Sequence, residues 1–77
     1  MALLSKFEQI TMSRNSIHEE IESTYSVFEH DGQKFIQIDS YGRPERKIPG
    51  KKSQTFQLDK KGGRLLFDIL NDTFHFK

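Results

Sequence analysis

Few residues in this 77-residue chain are of a kind that performs covalent chemistry. Cysteine is absent, which excludes a thiolate nucleophile, a disulfide and a thiolate-bound metal. His18, His30 and His75 stand far apart, and none has a carboxylate at a recognised ligand spacing, so they do not read as a metal site. Asp31 and Asp39 can approach one another across a hairpin, but no nucleophile, base and orienting group accompany them. Neither the stretch from Gly42 to Gly50 nor Gly62-Gly63 has the form of a glycine loop that cradles phosphate after a strand. The chain reads as non-catalytic, with no cofactor.

Its chemistry lies instead in charge and aromatic rings. Residues 42–64 hold eight basic side chains (Arg43, Arg46, Lys47, Lys51, Lys52, Lys60, Lys61, Arg64) against Glu45 and Asp59. Residues 1–41 hold three basic side chains against seven acidic ones, so the net charge of +1 conceals a basic segment beside an acidic one. A basic segment on one connection suits the phosphate backbone of a polyanion, where lysine and arginine displace counterions. It also suits a solvated loop. The adjoining residues Phe35, Gln37 and Tyr41 would stand on or beside an open sheet face if Ile36 and Ile38 face a helix. Rings and amides next to a basic loop suit unpaired bases, although Phe35 is equally suited to a place in the core.

The elements that must hold these residues can be traced along the chain. Leu3, Leu4, Phe7 and Ile10 have helical spacing, so a short amphipathic helix is expected within residues 1–12. Ser16 and Glu19 have capping-box spacing ahead of Ile21, which allows a helical turn or a loop. Residues 1–22 are therefore expected to be an extension, partly helical or flexible, ahead of a domain covering 23–77. Thr24–Glu29 is rich in strand formers, with Tyr25 and Val27 on one face and Phe28 on the other. His30-Asp31-Gly32-Gln33 follows with the Asp-Gly pair of a tight hairpin, and Lys34–Ser40 is its second strand. The two prolines and two glycines between Tyr41 and Lys52 predict a long turn. Ser53–Leu58 alternates as a strand, and Asp59 then caps a helix with the stripe Leu65, Leu66, Ile69, Leu70 and Phe74. Gly62 and Gly63 weaken that helix, or else allow close approach of another backbone or a phosphate. The expected class is α+β: an antiparallel meander of three to four strands followed by a C-terminal helix.

Ile48-Pro49-Gly50-Lys51-Lys52-Ser53, then Thr55-Phe56-Gln57-Leu58-Asp59 and a leucine-bearing helix, resemble the positive-cofactor-type single-strand-DNA-binding transcriptional coactivators. At greater distance they resemble the Pur and Whirly single-strand binders. The resemblance covers roughly residues 24–74. It implies a homodimer with helices at the interface and curved sheets that grip single-stranded nucleic acid. It assigns phosphate contacts to Lys51 and Lys52, and sheet-face contacts to Phe35 and Gln37. The chain departs from the family in Pro44 and Glu45 and in its acidic residues 1–22.

The expectation is thus a non-catalytic module for single-stranded DNA or RNA, dimeric, with a role in transcription or nucleic-acid metabolism. Phe35, Gln37, Tyr41, Arg43, Arg46, Lys47, Lys51 and Lys52 would form its binding surface. Leu66, Ile69, Leu70 and Phe74 would bury against a second copy, because so short a chain without staples makes a thin core. The alternatives are a small regulator or inhibitor that docks on a protein partner through its segregated charges, or an accessory subunit. No stretch has the form of a secretory or membrane-spanning segment, so a cytoplasmic location, or one associated with nucleoid or nucleus, is expected.

Overall fold

The computed structural model describes residues 1–42 and 52–77. Five elements follow in order: β1 (Ala2–Leu4), β2 (Ser23–His30), β3 (Gln33–Tyr41), β4 (Lys52–Leu58) and α1 (Lys60–Phe74). The strands form one sheet in the order β1-β4-β3-β2. Strands β2, β3 and β4 pair antiparallel, whereas β1 joins β4 in parallel. The fold is α+β, and the short parallel edge strand distinguishes it from a pure antiparallel meander.

The β2–β3 hairpin follows from its turn. Asp31 and Gly32 both take positive φ (52° and 76°), the conformation of a type I′ turn, whose twist matches the flanking strands. This sets Val27 opposite Ile36 and Tyr25 opposite Ile38. On the next strand Phe56 pairs with Ile38, and Leu58 with Ile36. One face of the sheet is therefore apolar, and Leu4 extends it on β1 through its pairing with Leu58.

The N-terminal residues differ from expectation. Leu3 and Leu4 belong to a strand, and residues 5–22 hold no helix or strand, so of the turn or loop allowed after Ser16 the chain has the loop. A short uncapped helix is marginal in water. Three residues that pair with β4 satisfy their backbone groups instead, so tertiary pairing overrides the helical spacing.

Asp59 caps α1 as expected: its carboxylate accepts from the Gly62 amide at 2.7 Å. At the other end His75 adopts a left-handed conformation and its amide donates to the Asn71 carbonyl. The two glycines then separate in role. A Cβ built on Gly62 would collide with the backbone carbonyl of Leu4, whereas one on Gly63 would meet nothing. The bare backbone of Gly62 is what lets β1 lie against the start of the helix.

Beyond that contact the helix covers little of the sheet. A groove of about 1020 Å³ runs between Val27, Ile36 and Leu58 on the sheet and Lys60, Gly63 and Arg64 on the helix. Leu58, 8% exposed, is the one buried hydrophobic side chain among the described residues. Ile36 and Phe56 stay 40% and 38% exposed; on the helix Leu65, Ile69 and Leu70 are exposed to a similar degree, and Phe74 more so.

Candidate nucleic-acid interface

The opposite face of the sheet is polar and aromatic. Alternation along β3 sends Phe35, Gln37, Asp39 and Tyr41 to this side, away from Ile36 and Ile38. Hairpin register sets Phe28 opposite Phe35, and their rings stack with centroids 5.4 Å apart and planes 16° from parallel. Thr55 and Gln57 reach the same side from β4, opposite Asp39 and Gln37.

These side chains form a bonded row across two strands. Thr55 Oγ1 donates to Asp39 Oδ1 at 2.6 Å. Gln37 Nε2 donates to Asp39 Oδ2 at 3.0 Å, and Gln57 Nε2 donates to Gln37 Oε1 at 3.0 Å. Lys52 Nζ lies 3.4 Å from Asp39 Oδ2. Beside the row, the Tyr41 hydroxyl and Thr24 Oγ1 share a hydrogen bond of 2.9 Å.

Asp39, only 4% exposed, is the anchor. The Thr55 hydroxyl foremost, then the Gln37 amide and the Lys52 ammonium, hold its carboxyl below the usual value of 3.8, against the opposing effect of burial. Lys52 arrives there through an irregularity. Simple alternation along β4 would send it to the apolar side with Gln54 and Phe56. Instead the register shifts so that Ser40 pairs with Gln54 but Tyr41 with Lys52. This bulge at Ser53 turns Lys52 onto the polar face, the re-aiming for which bulges serve.

Of the residues expected to bind, Phe35, Gln37, Tyr41 and Lys52 therefore share one face. Arg43, Arg46, Lys47 and Lys51, and the body of the turn expected between Tyr41 and Lys52, lie outside the described residues. Ile69, Leu70 and Phe74 are exposed on the helix, and Leu66 is half-buried. Phe28, Thr55 and Gln57 were not singled out by sequence as binding residues; Asp39 was weighed only beside Asp31, but it pairs with Thr24, at the far end of the hairpin from that turn residue. Hairpin register alone would have paired Phe28 with Phe35. The β4 partners depend on a register that the long connection after Tyr41 does not fix.

Among the described residues no group of three His, Cys, Asp or Glu side chains is arranged to hold a metal ion. No helix among them is long and apolar enough to cross a membrane. Comparison with family models, curated proteins and solved structures finds no match to this chain.

Proposed function

We infer that this chain is a non-catalytic binding module for single-stranded nucleic acid and that it acts as a homodimer. The observation that carries the reading is the convergence of Phe35, Gln37, Tyr41 and Lys52 on the sheet face opposite the apolar one. Stacking on rings is indifferent to sequence, and cations beside it track the phosphates. The basic residues Arg43, Arg46, Lys47 and Lys51 lie in sequence between β3 and Lys52, the first residue of β4. The family resemblance points the same way and supplies the suggestion of a role in transcription or nucleic-acid metabolism.

The dimer is supported by exposed area. Ile36 and Phe56 on the sheet and Leu65, Ile69 and Leu70 on the helix are 37–43% exposed. Open apolar surface on both the sheet and α1 is what a second copy would cover. Helix residues Leu66, Ile69, Leu70 and Phe74 are the proposed contact.

A gel-shift titration with single- and double-stranded DNA and RNA, alongside light scattering, tests both parts. Retention of single strands in preference to duplex, by a dimer, is the expected result. No retention at low salt refutes the nucleic-acid reading and leaves a regulator that docks on an acidic or basic protein surface.

A further inference from the structure

The row of amides on the polar face has a direction. Ionised Asp39 can only accept hydrogen bonds, so Gln37 must turn its amino group towards it. The Gln37 carbonyl oxygen then faces β4, and Gln57 must present its own amino group in return. Each amide is oriented by the one before it. At the end of the row, Gln57 keeps one N–H and its carbonyl oxygen uncommitted to Gln37, Asp39 or Thr55. A fixed donor beside a fixed acceptor is the means by which a glutamine side chain reads a base edge.

The geometry points to Gln57 as a base-reading residue, held in one orientation by Asp39 through Gln37, and to adenine as the base it favours. This inference rests on the single-strand reading above. Adenine offers an amino donor beside an acceptor on both its Watson–Crick edge and its Hoogsteen edge, and both edges are open in a single strand. It also brings a purine's area to rings such as Phe35, two residues along β3 from Gln37 and stacked on Phe28. Guanine matches an amide on its Watson–Crick edge but offers two acceptors on its Hoogsteen edge. The pyrimidines match an amide on the Watson–Crick edge but offer no Hoogsteen pair, and they present a smaller stacking surface.

The test is fluorescence anisotropy of the full chain with short labelled homopolymers of deoxyadenylate, deoxycytidylate and thymidylate, at one salt concentration. Wild-type protein should bind the adenine strand tighter by about fivefold or more, through the second edge adenine offers Gln57 and its larger stacking area. Gln57→Leu should shrink the adenine preference to the part that ring stacking supplies, while retaining binding through the basic and aromatic residues. Asp39→Asn, of the same shape, can donate as well as accept, so it releases the amide row and should shrink the adenine preference. The read-out is the ratio of affinities, which a loss of stability alone does not change. If Asp39→Asn does not fold, Gln57→Leu decides the matter. Equal wild-type affinities for the three strands, or an undiminished preference in Gln57→Leu, overturn this inference and leave the single-strand reading standing. No binding of any strand overturns both.

Discussion

Asp39 carries the strongest consequence of any single side chain. Its carboxyl titrates below the ordinary carboxylate value in the folded chain. Its contribution to stability is therefore complete above the unfolded-state value near 3.8 and fades as pH falls through the lower folded value. The melting temperature of the wild-type protein should accordingly drop on acidification through this range. Asp39→Asn should lack that part of the drop, and an identical acid profile for the two proteins would refute the assignment. Lys52 and Phe35 separate the two components of the proposed binding. Lys52→Ala should weaken binding and lower the logarithmic salt slope by about 0.7, the single-strand value for one phosphate contact. Phe35→Ala should weaken it by about 1–3 kcal/mol with little change of slope, because a stacked base releases few counterions. Parallel salt titrations of both variants and the wild type check this.

The elements make sharper tests of the fold. Asp59→Ala removes the carboxylate that accepts from Gly62 and should cost about 1 kcal/mol in denaturant unfolding. Gly63→Ala should stabilise by up to about 1 kcal/mol through helix propensity, since its Cβ meets nothing. Gly62→Ala should instead displace β1, seen as lost hydrogen-exchange protection along the outer edge of β4. Equal effects at the two glycines would refute the close packing of Leu4 against the helix. The hairpin, β4 and the capped helix were legible because their signals are local: Asp-Gly at the turn, alternation in the strands, a carboxylate before a leucine stripe. Strand β1 was not, because Leu3, Leu4, Phe7 and Ile10 fit a helix locally and only the distant β4 makes the first two a strand. The polar row was half legible. Alternation gave Phe35 and Gln37 their face, but the bulge that turns Lys52 towards Asp39 has no signature at Ser53.

Among the described residues the sheet and the helix both leave large apolar side chains partly open, Ile36, Phe56, Ile69 and Phe74 among them. If a second copy covers them, a charge on the helix stripe has no partner to neutralise it once buried, and burying it is costly. Ile69→Glu should then convert the dimer to monomer or unfold it, and light scattering with circular dichroism distinguishes the two. A wild-type protein that is monomeric at high micromolar concentration would refute the arrangement. The seven phenylalanines are consistent with it, since Phe67, Phe74 and Phe76 all stand exposed along or beyond α1.

The parallel pairing of β1 with β4 also fixes an order of events. Ala2 pairs with Phe56, and Leu4 rests against Gly62, so β1 must wait for β4 and α1 before it has anything to join. The hairpin closes through its own turn and needs no such delay. During synthesis Leu3 and Leu4 therefore remain available to other partners until the helix has emerged. Until β1 docks, its leucines and unpaired backbone groups are surface on which misassembly can begin.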